Sequence, residues 1–214
     1  DSLLDVIVVE AQRREEALID VPISVSVIGG ETIADARLAD LRDLSPLTPN
    51  FNITSQASRT NPNLFMRGIG GIATVDPGSV QSVAVFVDGV YIPFTSAALF
   101  DFLDVERVEV IRGPQGTLFG RNATSGAVNI VTKSPGSELG GIVEAEAGNL
   151  GHLKGAGTLN IPFSDSNQGI RLSGLWSKRD GFIDNDLGDD LTAEETRALR
   201  GRLSVAPTNE LQVD

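Results

Sequence analysis

Four successive segments after Ser134-Pro135-Gly136 put small or apolar residues on one side of an extended chain and charged or hydroxyl residues on the other. In 141–147, Val143, Ala145 and Ala147 oppose Glu144 and Glu146. In 153–161, Leu153, Gly155, Gly157, Leu159 and Ile161 oppose Lys154, Thr158 and Asn160. In 170–178, Ile170, Leu172, Gly174 and Trp176 oppose Arg171, Ser173 and Ser177. In 199–205, Leu199, Gly201, Leu203 and Val205 oppose Arg200, Arg202 and Ser204. A period of two is that of a β-strand whose two faces meet different surroundings. A soluble antiparallel sandwich alternates as well, so two further details decide. The segments suit the ~9–11 residues of a tilted bilayer crossing. Their polar sides carry full charges in mid-strand, which fits a wet lumen better than a sheet lying over a dry core. Four strands cannot close a barrel, which needs about eight at least, and Leu211-Gln212-Val213-Asp214 reads as the start of another. The segment is therefore expected to be the front portion of a larger barrel.

Composition narrows the remaining classes. No stretch approaches the ~20 consecutive apolar residues of a membrane helix. The net charge of -12 over 214 residues argues against nucleic-acid binding, since no basic patch interrupts the acidic background. With no cysteine, disulfide frameworks and thiolate metal sites are excluded, and the single histidine, His152, makes multi-histidine metal sites and His-based catalysis poor readings. No basic-then-apolar signal segment precedes Asp5.

Ahead of the alternating segments, two further regions are expected. Residues 1–20 read as a tail in which the β-branched run Asp5-Val6-Ile7-Val8-Val9 precedes a polar stretch from Glu10 to Glu16. Such a run is either a short edge strand of the next domain or a free strand that adds to another protein's sheet. Residues 21–134 read as a compact α+β domain. Strands are expected at 23–28, 83–87, 90–92, 105–111 and 127–131, with a hairpin turn at Asp88-Gly89. Helices are expected at 31–36 and 38–44, the second placing Leu38, Leu41 and Leu44 on one face and ending at Ser45-Pro46. The junction with the alternating region, 139–214, is expected between Thr132 and Gly140.

The string Val105-Glu106-Arg107-Val108-Glu109-Val110-Ile111-Arg112-Gly113-Pro114-Gln115-Gly116-Thr117-Leu118-Phe119-Gly120-Arg121-Asn122, continued by Gly126-Ala127-Val128-Asn129-Ile130-Val131-Thr132-Lys133, resembles the plug signature of TonB-dependent outer-membrane receptors. Pro22-Ile23-Ser24-Val25-Ser26-Val27 and Met66-Arg67-Gly68-Ile69-Gly70 resemble that family's early plug motifs, and Asp5 to Val9 resembles its TonB box. The resemblance implies an α+β plug followed by the first antiparallel strands of a large transmembrane barrel. A barrel wide enough to hold a ~110-residue plug has on the order of 22 strands. It implies TonB binding by Asp5, Val6, Ile7, Val8 and Val9, with the ExbB/ExbD complex as the inner-membrane motor. It implies plug–barrel contacts through Arg67, Arg112, Gly113, Pro114, Gly116, Gly120 and Arg121, the arginines looking toward acidic wall residues. Apical plug loops at 55–62, 72–79 and 92–97 are expected to meet a small extracellular ligand through Gln56, Arg59, Asn61, Thr74, Asp76 and Thr95.

The implied function is active import of a scarce ligand, a ferric siderophore first, with haem, cobalamin or a saccharide as other cargoes. The alternative from another class is a non-transporting plugged barrel, an adhesin or structural surface protein, which has no need of a coupling strand. A soluble periplasmic β-rich module is a third option, disfavoured by the alternation. No catalysis, cofactor or metal is expected. Gly113 to Arg121 lacks the Gly-Lys-Ser/Thr of a P-loop, Ser125 and Ser173 have no base, and the loop holding Asp184, Asp186, Asp189 and Asp190 reads as solvated rather than Ca²⁺-binding. On the barrel segments, Val143, Ala145, Leu159, Leu172, Trp176, Leu203 and Val205 are expected to face lipid, and Glu144, Lys154, Arg171, Arg200 and Arg202 the lumen.

Overall fold

The computed structural model describes residues 8–9, 16–17, 19, 22–55, 62–70, 81–93, 102–120, 122–163, 168–183, 191–208 and 211–213, and the chain divides into two units, 1–132 and 133–214. The first unit begins with two short antiparallel strands, β1 (Val8–Val9) and β2 (Glu16–Ala17). Then come β3 (Ser24–Gly29), α1 (Gly30–Asp35), a 3-10 helix (Leu41–Leu47), and a small antiparallel sheet of β4 (Phe51–Ser55), β5 (Pro62–Met66) and β6 (Ile69–Gly70). β7 (Val83–Val87), β8 (Val90–Ile92), β9 (Val105–Arg112), the one-turn helix α2 (Gly116–Phe119) and β10 (Gly126–Thr132) complete it. The main sheet has the order β3-β9-β10-β7-β8, with β10 parallel to β7 and the other pairs antiparallel.

One face of this sheet presents Ile28, Val83, Val85, Val108, Val110, Val128 and Ile130 to Ile33 of α1, Leu41 and Leu44 of the 3-10 helix, and Phe51, Leu64 and Met66 of the small sheet. α1 lies close because Gly30 has no side chain: a Cβ there would stand 2.6 Å from the Val105 carbonyl oxygen. The Asp88-Gly89 turn forms as expected, with φ of 47° and 76°, as a two-residue hairpin of this hand requires.

Two local expectations need correction. The second helix starts at Leu41, not 38, because Asp40 caps it: its carboxylate accepts from the Arg42 N–H at 2.7 Å while the Asp43 carboxylate accepts from the Ala39 N–H at 2.7 Å. It then runs through Pro46, which withholds one backbone donor without ending it. The three-residue period of a 3-10 helix aligns Leu41 and Leu44, both fully buried. The strands β4, β5 and β6 were not expected; Ser55 and Pro62 are strand ends rather than loop residues.

The second unit is an antiparallel sheet in sequence order, β11 (Gly140–Ala147), β12 (Leu153–Pro162), β13 (Gly169–Arg179), β14 (Glu194–Thr208) and β15 (Leu211–Val213). Its register sorts the side chains by chemistry. Val143 pairs with Gly157, Gly155 with Trp176, Leu159 with Leu172, Gly174 with Leu199 and Ile170 with Leu203, all on one face. Glu144, Lys154, Arg171, Arg200 and Arg202 fall on the other. Val143 and Leu199 are each 88% exposed, so the apolar face has no protein covering at these positions. Large side chains on it lean over glycines of the next strand: Leu172 Cδ2, Leu199 Cδ1 and Val143 Cγ2 lie 3.5, 3.8 and 3.9 Å from where a Cβ would sit on Gly201, Gly174 and Gly157. The charged face also holds Leu175, which is buried. β14 spans 15 residues, longer than the 199–205 read from sequence. The strands alternate in direction, so Ala147 and Leu153, and Arg179 and Glu194, lie at one end of the sheet and Pro162 and Gly169 at the other.

Candidate functional site: a seated strand beside the signature loop

The second face of the main sheet carries the residues that the sequence singles out. Ala84, Phe86, Ile111 and Ala127 form its floor, and Val9 packs onto them with no exposed surface. The small alanines leave the depression that a β-branched side chain fills. β1 is held there by its pairing with β2, Val8 opposite Ala17 and Val9 opposite Glu16. Val8 and Val9 therefore rest as a paired strand, with Val9 packed on the domain. Burial of an apolar side chain of this size stabilises by about 1.5–3 kcal/mol, close to the roughly 1–2 kcal/mol per residue that ordering the strand costs. Asp5, Val6 and Ile7 lie outside the described residues.

Phe119 and Ala123 of the signature loop complete the wall around Val9. The Phe119 ring stands 5.1 Å from that of Phe86, tilted by 58°, and Phe86 in turn contacts Tyr91. The loop is sewn shut by its own backbone: Gly113 N–H donates to Ser125 O at 3.0 Å, Gln115 N–H to Ala123 O at 2.8 Å, and Phe119 N–H to Gln115 O at 2.8 Å. Gly113 at φ 115° and Gly120 at φ 85° make the reversals that an L side chain resists. Gly116 opens α2 and Pro114 stands exposed on the loop.

Arg67 and Arg112 converge on Gly113. Arg67 Nη1 lies 3.7 Å from where a Gly113 Cβ would be, and Arg112 Nη1 donates to Pro49 O at 3.4 Å. Arg112 Nε is buried without a hydrogen-bond partner among the described residues. Arg121, and the loop residues Gln56, Arg59, Asn61, Thr74, Asp76 and Thr95, lie outside the described residues, as do Asp184, Asp186, Asp189 and Asp190. Sequence reasoning did not single out Phe86, Phe119, Ala123 or the partner strand Glu16–Ala17. The only sequence signal for them is small residues, Ala84, Ala123 and Ala127, spaced along elements otherwise rich in large ones.

The sequence profile described as the TonB-dependent Receptor Plug Domain matches residues 17–127. The chain belongs to the TonB-dependent receptor family. Among relatives of this receptor, the vitamin B12 transporter BtuB of Vibrio vulnificus is 29% identical over 83% of the chain and 28% of its own length. The pesticin receptor of Yersinia pestis is 28% identical over 88% of the chain and 28% of its own length. The chain thus spans little more than a quarter of these relatives. Of solved structures, the ferric yersiniabactin uptake receptor FyuA from Yersinia pestis superposes with a TM-score of 0.75 at 26% identity, over 87% of this chain and 29% of that one. The ferripyoverdine receptor of the outer membrane of Pseudomonas aeruginosa gives a TM-score of 0.77 over 94% of this chain and 26% of that one, at 19% identity, a likeness of fold alone. The chain has the fold of a plug domain followed by strands of a receptor barrel, in a family of outer-membrane transporters rather than enzymes.

Proposed function

We propose that the receptor to which this chain belongs imports a scarce ligand across the outer membrane, with TonB and the ExbB/ExbD complex supplying the work. The outer membrane has no ATP, so work must arrive mechanically from across the periplasm. The observation that carries this reading is the β-branched strand Val8–Val9, seated by Val9 against the signature loop. A strand held by one buried side chain and two residues of pairing is a releasable handle: little is lost when it leaves, and its backbone can then pair with TonB. Pulling Val9 out empties the depression beneath Phe119, so the load reaches the signature loop first. Arg67, Arg112 and Arg121 are the contacts we assign to acidic residues of the barrel wall; the buried Arg112 Nε, without a hydrogen-bond partner among the described residues, supports this for Arg112. Ligand binding is assigned to the apical loops within 56–61, 72–79 and 93–97. A ferric siderophore is the favoured cargo, in keeping with relatives named as the catecholate siderophore receptor Fiu and the ferric yersiniabactin receptor. Haem, cobalamin and saccharides are the other cargoes considered.

The test is paired. Val8→Pro removes an N–H donor from the strand and is expected to abolish energy-dependent uptake while leaving ligand binding at the cell surface intact; Val8→Ile, which keeps the backbone, is expected to do little. Uptake that survives the proline would show that this run is only an edge strand or tail, and the importer reading would lose its main local support.

A further inference from the structure

The main sheet is loaded along its length by the way the chain enters and leaves it. The tail joins β3 at Ser24, which pairs with Arg112, and Arg112 pairs in turn with Gly126 at the start of β10. Thr132, the last residue of β10, lies at the opposite end, beside Val105, and continues as Lys133 into the second unit. β3 and β10 are therefore parallel to each other, with β9 antiparallel between them. A pull on the tail against a fixed Lys133 draws β3 and β10 in opposite directions along their own axes. Ladder hydrogen bonds run perpendicular to the strands, so such a load strains all of them together. A strand peeled from one end gives them up one by one. Six residue pairs join β3 to β9 and seven join β9 to β10, against two between β1 and β2. The exit end also carries a staple. The register of β9 and β10 shifts between Val131 and Thr132, so the ladder is interrupted where the chain leaves it. Asp88, at the β7–β8 turn, takes over there. Its carboxylate accepts from the Thr132 N–H at 2.8 Å and from Thr132 Oγ1 at 2.8 Å, while its own N–H donates to Ile130 O at 2.9 Å. Thr132 is buried, which keeps water from competing for these bonds.

We propose that β3, β9 and β10, stapled by Asp88 at Thr132, form a shear clamp that carries a pull on the tail through to Lys133 without unfolding. The chain between β3 and β9 is then bypassed, because the load crosses from strand to strand through the ladder. The small sheet of β4, β5 and β6 lies in that bypassed stretch, and so do the three loops assigned to ligand. The pull therefore moves the main sheet before it stretches any of them. The clamp's part in transport rests on the importer reading above; its resistance to load needs neither TonB nor uptake.

Two measurements on the full-length receptor test the clamp. In the first, single receptors in a bilayer are pulled by the N-terminal tail at constant load. β1 is expected to leave first, followed by one later rupture. Asp88→Ala is expected to speed that rupture about tenfold, the loss expected of a hydrogen bond to a charged group. Asp88→Asn, which keeps one acceptor, is expected to fall between. Leu64→Ala empties part of the core beneath the bypassed small sheet and lowers stability, yet is expected to leave the rupture rate unchanged. Extension that creeps forward from β3 after β1 has left overturns the proposal. So do equal rupture rates in wild type and Asp88→Ala, or a Leu64→Ala variant that ruptures as early as Asp88→Ala. In the second measurement, Ser26→Cys with Val110→Cys, directly opposite on β3 and β9, are joined as a disulfide in cells. Energy-dependent uptake is expected to be the same oxidised and reduced, because the ladder so locked does not open. Uptake lost on oxidation and restored by reductant overturns the clamp. A receptor that takes up no ligand even when reduced sinks the importer reading instead, and the pulling measurement still decides the clamp.

Discussion

Glu109 is a carboxylate with no exposed surface in the middle of the central sheet. It accepts from Arg107 Nε at 2.8 Å and from Asn129 Nδ2 at 3.2 Å, across the β9–β10 pair. Removing one partner of a buried ion pair costs about 3–5 kcal/mol, so Glu109→Ala is expected to speed hydrogen exchange of the β9 and β10 amides by roughly 100-fold or more; unchanged exchange would mean that the pair contributes no stability. The alternation of 105–111 was legible in the sequence, and so was the shared side of Arg107 and Glu109. Their burial was not. It depends on which distant segments cover the second face, and Val9 and Phe119 do so from 100 residues upstream and from the following loop. The same holds for the seat of Val9: a β-branched run announces a strand, but the hollow it fills is made by alanines on other strands.

At the scale of elements, legibility follows periodicity. The barrel strands β11 to β14 declare themselves because two contrasting environments, one on each face, impose a period of two over many residues. The Asp88-Gly89 hairpin is equally legible, from turn chemistry. β4, β5 and β6 are not, being short, with Asn, Thr and Ser interrupting β4 and a proline beginning β5. The start of the 3-10 helix was misplaced because a cap of two aspartates outranks the spacing of leucines. The assignment of faces can be tested directly. Leu199→Arg, on the apolar face, is expected to cost about 2–4 kcal/mol in folding of the full receptor into bilayers, while Thr196→Arg, on the charged face, is expected to cost little. A reversed order, read from urea titrations of the lipid-inserted protein, would place lipid on the other side of the sheet.

On the scale of the molecule, the two units differ in what they need. The first has a core on both faces of its sheet; the second has one face of exposed leucine, valine and tryptophan, and open edges at β11 and β15. Residues 139–214 expressed alone are therefore expected to aggregate, as an unpaired edge and a bare apolar face dictate; a soluble fragment that melts cooperatively would overturn the membrane assignment. The way Leu172, Leu199 and Val143 on that face lean over glycines of the next strand has a consequence for what surrounds it. At these three positions the missing Cβ leaves room for the neighbouring side chain, which lowers the relief of the wall there. Acyl chains passing over these patches meet fewer notches to catch on, and a neighbouring protein finds less there to interlock with, so at these patches the receptor meets the membrane more as a fluid than as a set of sockets.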